Sequence, residues 1–296
     1  MNDTVPPTTI HAADALVDAI ARTGAPICVG LDPVIERIPG ADASSDVVRA
    51  VAAIRSFSLH ILDAVAGVVP CVKLQSACFE RYGPTGVAAA DEVIAAARER
   101  DLQVVLDAKR GDIGISAAHY AAAAFERSSA CADWITISPY LGDDAMRPFV
   151  RDGHGAFALV RTSNPGGTAL QGSRLADGRT VAELVAGIVA ELGRESIGAS
   201  GFSALGAVVG ATHADDVARL RAAMPEQMLL VPGYGAQGGG ADDIRACFHP
   251  GGRGAIITAS RSIIYPEVAP GADWSGAVRA AAQRMADEVR AVAGVR

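Results

Sequence analysis

The sequence predicts an α/β protein of the TIM (β/α)8 barrel class, and three observations predict it. Eight short apolar runs alternate with alanine-rich stretches at helical spacing. The runs are apolar throughout rather than alternating in polarity, as strands covered on both faces are. Polar residues recur where the runs end, and in a barrel those ends converge on one mouth. An open doubly wound sheet is the competing architecture; the repeated polar strand ends favour the barrel.

In chain order, residues 1–9 carry two prolines and three threonines and read as a flexible N-terminal arm. The remainder, 10–296, reads as one barrel domain. Strands are expected at 26–31, 69–75, 103–109, 134–138, 156–161, 207–210, 228–232 and 255–259. Helices are expected at 45–65, 85–100, 116–126, 181–192 and 215–223, with a closing helix at 275–292. The interval after the fifth strand is long, and about 165–200 reads as an insertion on that barrel loop rather than a second domain.

Bulk properties narrow the function. Half of the 296 residues are apolar and a fifth are charged, enough for a large core. A net charge of −7 argues against nucleic acid as a partner. No stretch is long and apolar enough to span a bilayer, and the N-terminus lacks the basic-then-apolar order of a signal peptide. Five cysteines without a close pair read as reduced thiols of a cytoplasmic protein. The six histidines lack metal-ligand spacing and no G-x-S-x-G elbow is present, so nothing calls for a metal or an organic cofactor.

The sharpest feature is the use of lysine. Among 26 basic residues only Lys73 and Lys109 are lysines. Both sit in apolar strand-like runs, where burial is costly unless the charge is paired. Lysine, unlike arginine, can lose its proton near neutral pH if its surroundings depress its pKa. Asp107 and Lys109, two residues apart on a strand, point the same way, into the mouth. Asp112 follows in the loop, and Lys73 comes from the neighbouring strand. The expected result is a Lys–Asp–Lys–Asp array whose charges neutralise one another.

A second cluster suggests phosphate. Residues 232–240 are glycine-rich and follow the seventh strand, and Ser260-Arg261 follow the eighth. In TIM barrels these two loops often cradle phosphate. Gln237 can donate from its amide and Arg261 can bind bidentately. Gly233, Gly235 and Gly238 match G-x-G-x-x-G, but the stretch comes late in the chain and lacks the acidic partner a dinucleotide site needs.

The residues 105–116, Val-Leu-Asp-Ala-Lys-Arg-Gly-Asp-Ile-Gly-Ile-Ser, closely resemble the D-x-K-x-x-D signature of orotidine 5′-phosphate decarboxylases. The first strand with Asp32, Lys73 on the second, Thr162-Ser163 after the fifth and the two phosphate loops resemble the same family in the same order. Position 116 is serine where the family usually carries threonine, which keeps the hydroxyl. The insertion and longer N-terminus are similar to the longer bacterial branch. The resemblance implies a TIM-barrel homodimer that converts orotidine 5′-phosphate to UMP and CO₂ without metal or cofactor. It implies that Lys109 protonates C6, with Asp107, Lys73 and Asp112 completing the array. Asp112 and Ser116 would enter the partner's site. Asp32 would contact ribose, Ser163 the pyrimidine, and Gln237, Ser260 and Arg261 the phosphate. Three rivals are a Mg²⁺-dependent keto-sugar-phosphate decarboxylase, which needs a carboxylate where Lys73 stands, a Schiff-base aldolase, and a non-catalytic nucleotide-binding protein.

Overall fold

All eight expected strands form, and they close into a parallel barrel in the order β1 to β8. The computed structural model describes residues 9–42, 46–211, 214–234, 241–269 and 271–294. The strands are β1 (Ile27–Leu31), β2 (Cys71–Gln75), β3 (Gln103–Arg110), β4 (Trp134–Ile137), β5 (Gly155–Arg161), β6 (Ser203–Val209), β7 (Gln227–Pro232) and β8 (Ala255–Ala259). The ring is completed by β1 pairing with both β2 and β8. The sixth strand starts four residues earlier than its apolar run suggested, at Ser203 rather than 207.

The helices are α1 (Ala12–Thr23), α2 (Val47–Val65), α3 (Ala77–Glu80), α4 (Gly83–Arg98), α5 (Gly114–Phe125) and α6 (Asp143–Met146), followed by α7 (Gly167–Gln171), α8 (Val181–Gly193), α9 (Ala214–Ala223), α10 (Ala241–Arg245), α11 (Arg261–Ile264) and α12 (Trp274–Ala293). Asp46 caps α2, Asp273 caps α12, and Thr180 with Glu183 forms a capping box on α8. The segment 165–200, expected as an insertion, holds α7 and α8 between β5 and β6. Of the expected arm at 1–9, residues 1–8 lie outside the described residues.

The core has two parts. One lies between strands and helices, with residues such as Ile54, Ile61, Val93 and Val189 facing Val29, Val72 and Ile257. The other fills the barrel, where Cys28, Cys71, Val105, Trp134, Phe157 and Ile256 pack together. Helix α1, which sequence reasoning missed, puts Ala12, Ala13 and Leu16 into this inner cluster. Its tie to the far side of the chain is polar: Asp14 accepts from the backbone N–H of Ala199 and Ser200 at 3.0 and 2.8 Å. With the interior packed, the open cavity is left to the C-terminal ends of the strands.

Candidate active site

A cavity of about 500 Å³ opens at those strand ends, a size suited to a nucleotide-sized ligand. Asp32, Lys73, Asp107, Lys109, Ser163, Ser260 and Arg261 line it, drawn from both ends of the chain. Seven of the expected site residues are therefore brought together.

Asp107 is the hinge of the arrangement. Lys73 Nζ donates to its Oδ2 at 2.7 Å and Lys109 Nζ to its Oδ1 at 2.5 Å. Thr136 on β4 donates to the same Oδ1 at 2.8 Å while accepting the backbone N–H of Lys109 at 2.9 Å. With its amide nitrogen turned inward, Gln75 donates to Oδ2 at 2.8 Å. Asp32 Oδ1 stands 3.7 Å from Lys73 Nζ. The series within one chain is thus Asp32–Lys73–Asp107–Lys109. Burial alone would raise the Asp107 pKa; the two ammonium groups outweigh it and hold the carboxyl at about 2. Burial would lower the Lys73 pKa, but Asp32 and Asp107 push it above its usual value.

Two expectations need correction. Proton loss from a depressed lysine does not apply to Lys73: flanked by carboxylates, it is held as an ammonium. Lys109 is not buried in the chain alone, since 46% of its side chain is exposed at the cavity. Its β3 neighbours Leu106 and Ala108 pack against the core between strands and helices, while Lys109 lines the cavity.

Asp107 and Lys109 both face the cavity, as strand alternation predicts, but the strand is not regular between them and its end. The β3–β4 register shifts between Leu106 and Arg110, and Lys109 has φ +46°. A side-chain-bearing residue held at positive φ costs on the order of 1–3 kcal/mol and persists where surrounding contacts fix it. The Thr136 hydroxyl fixes both the amide of Lys109 and the carboxylate it faces. Thr136 was missed in the sequence, although a single hydroxyl in the buried run Trp134–Ile137 is a usable signal.

Asp112 and Ser116 are not brought to this cavity by their own chain. Asp112 is half-buried and accepts from the neighbouring N–H of Ile113 at 2.8 Å. Ser116 lies in the first turn of α5. Gln237, with Gly235 and Gly238, lies outside the described residues.

On the opposite rim, Ser260 precedes α11 and Arg261 begins it. The guanidinium of Arg261 is exposed and has no ion pair or hydrogen bond among the described residues. Gly30 makes this rim possible: a Cβ there would fall 1.9 Å from Ser260 Oγ. A second missed residue joins the rims. Tyr265 accepts the N–H of Val34 at 2.7 Å and donates to the carbonyl of Asp32 at 3.3 Å, while its ring stacks on Phe57. Asp32 Oδ1 and Thr258 Oγ1 are buried without a hydrogen-bond partner among the described residues, and both residues line the cavity. Such groups are ready to take up a polar ligand.

Chemically, the site pairs a fixed cation at Lys109 with a fixed anion at Asp107, beside a rim of uncommitted donors. Residues 25–274 match the family model described as orotidine 5′-phosphate decarboxylase / HUMPS. A curated orotidine 5′-phosphate decarboxylase of Rhodopirellula baltica is 44% identical over 94% of this chain and 98% of its own length. One of Deinococcus radiodurans is 41% identical over 96% and 98%. The solved OMP decarboxylase of Leishmania donovani superposes with a TM-score of 0.75 at 32% identity, covering 97% of this chain and all of that one, 100%.

Proposed function

Because the chain belongs to the orotidine 5′-phosphate decarboxylase / HUMPS family, we propose how its residues remove CO₂ from orotidine 5′-phosphate. The reaction yields UMP, the last step of de novo pyrimidine nucleotide synthesis. The supporting observation is Asp107, bonded at both oxygens by the two lysine ammonium groups at the cavity wall.

Cleaving the C6–carboxylate bond leaves an electron pair at C6 with no adjacent carbonyl to receive it. Stabilisation must come from charge already in position. Lys109 supplies it: its ammonium faces C6, stabilises the carbanion and then donates the proton. Asp107 lies against the substrate carboxylate, and their repulsion eases as CO₂ departs. Lys73 and Asp112 hold the array in register and bind ribose hydroxyls, and Asp32 contacts the ribose. Ser163 bonds the pyrimidine amide edge. Ser260, Arg261 and Gln237 bind the phosphate, whose binding energy is spent on closing the site and excluding water.

The active form in this reading is a homodimer, with Asp112 and Ser116 entering the partner's site. In support, Asp112 bonds no lysine of its own chain, and the flanking Ile113 and Ile115 are 57% and 76% exposed. Five cysteines outside any disulfide fit a cytoplasmic enzyme. Against the Mg²⁺-dependent rival, Lys73 stays protonated between two carboxylates and so cannot ligate a hard cation.

The test is to mix the protein with orotidine 5′-phosphate and EDTA and follow the ultraviolet change as UMP forms. Rapid turnover is expected. Activity only with Mg²⁺ and a keto-sugar phosphate would transfer the protein to the rival chemistry, and UMP binding without turnover would leave a nucleotide-binding protein.

A further inference from the structure

The loop after β5 carries Ser163 and is gripped from behind by the segment that follows it. The β5–β6 register shifts between Leu159 and Arg161. Leu159 lines the cavity, whereas Arg161, two residues on, points away from it into the helix layer. There it is 4% exposed. Its guanidinium donates to Thr168 Oγ1 at 3.1 Å and Gln171 Oε1 at 3.4 Å, and lies 3.5 Å from Asp216 of α9.

Gln171, the last residue of α7, then turns to the loop itself. Its Oε1 accepts the backbone N–H of Thr162 at 2.9 Å, and its Nε2 donates to Thr162 Oγ1 at 2.9 Å. The Thr162 hydroxyl in turn donates a hydrogen bond to Asn164 Oδ1 at 2.7 Å. Both sides of Ser163 are thereby fixed. Contact is close enough to restrict sequence: a Cβ on Gly167 would lie 2.7 Å from Thr162 Oγ1, and one on Gly210 would lie 3.0 Å from the Ser163 backbone.

A five-residue helix has little stability of its own. Its polar side chains are nevertheless directed at one loop and one buried arginine. We propose that α7 is a clamp for base recognition, in which Gln171 and Arg161 are positioning residues that set Ser163 against the pyrimidine. The clamp gives the 165–200 segment a role in specificity. It rests on the reading of Ser163 as the pyrimidine contact.

The experiment compares Ser163→Ala, Gln171→Ala, Gln171→Glu and the Ser163→Ala/Gln171→Ala double variant. UMP and ribose 5-phosphate, which lacks the base, serve as binding probes. The clamp requires Gln171→Ala to weaken UMP binding by roughly tenfold, the worth of the single Ser163–base hydrogen bond that it misplaces. Ribose 5-phosphate binding should not change. Gln171→Glu keeps the acceptor for Thr162 N–H and for Arg161, and should retain most UMP affinity. The double variant should bind UMP no worse than Ser163→Ala, because both act through one contact.

Wild-type UMP affinity in Gln171→Ala, or equal loss for both probes, overturns the clamp while leaving Ser163 as the contact. Unchanged UMP binding in Ser163→Ala overturns the contact and the clamp with it. Should Gln171→Ala fold poorly, Thr168→Val removes one bond to Arg161 and is expected to show the same selective loss, smaller in size. Equal loss on both probes there overturns the clamp as well.

Discussion

The two rims of the cavity are built in opposite ways. On the β2–β4 side, Lys73, Asp107, Lys109 and Thr136 satisfy one another before any ligand arrives. On the β8 side, Arg261 is uncommitted among the described residues and Ser260 occupies space left by Gly30. The first rim is electrostatic preorganisation, in which charges are held where charge develops. The second keeps its donors free for a group far from the reacting bond. One rim should thus govern the chemical step and the other the binding energy that supports it.

Breaking the organised rim should have the largest effect. Lys109→Ala removes both the fixed cation and the proton donor, and kcat should fall roughly 10⁴-fold or more while UMP binding stays measurable. A rate near wild type would end the assignment. Arg261→Ala should come next, lowering kcat/KM by about 10²–10³-fold although it touches no reacting atom. Steady-state kinetics across substrate concentrations would expose the loss, and an unchanged kcat/KM would remove Arg261 from the phosphate site. Thr136→Val keeps the shape of the strand and deletes one bond to a charged partner, so about a tenfold loss in kcat is expected. If kcat is unaffected, Lys109 does not need its backbone held.

The smallest effect is on stability, and its sign follows from Asp107. Its folded pKa, about 2, lies below the usual 3.8. Its stabilisation is therefore present above 3.8 and is lost as pH falls toward 2. For Lys73, raised above 10.5, the contribution is full below that value and disappears as pH rises through the raised one. Thermal unfolding of wild type should weaken below pH 3.8 more steeply than that of Asp107→Asn. Parallel acid profiles would mean that the carboxylate is not held by the lysines.

The same contrast explains what could be read from sequence. Strand positions were legible because continuous apolar runs are what a barrel buries on both faces, and the polar residues at their ends marked the mouth. The paired lysines and Asp107 were legible from rarity and spacing. The positive φ of Lys109 was not, since it depends on a register shift against β4. Thr136 offered only its lone hydroxyl in a buried run as a signal, and which groups that hydroxyl bonds depends on β3 and β4 lying side by side. Tyr265 stands 233 residues from Asp32, whose carbonyl it bonds, so only the closed ring brings them together. Helix α1 escaped notice although its buried Ala12, Ala13, Leu16 and Ala19 fall at helical spacing.

The division of labour between the rims is tested most directly by removing the phosphate from the substrate instead of a residue from the protein. Turnover of orotidine 5′-phosphate and of orotidine, the same nucleoside without phosphate, would be measured for wild type, Arg261→Ala and Lys109→Ala. Arg261→Ala should be impaired on the phosphate ester and equal to wild type on the nucleoside, with Lys109→Ala inactive on both. Equal impairment of Arg261→Ala on the two substrates, or turnover of orotidine by Lys109→Ala, would contradict that division.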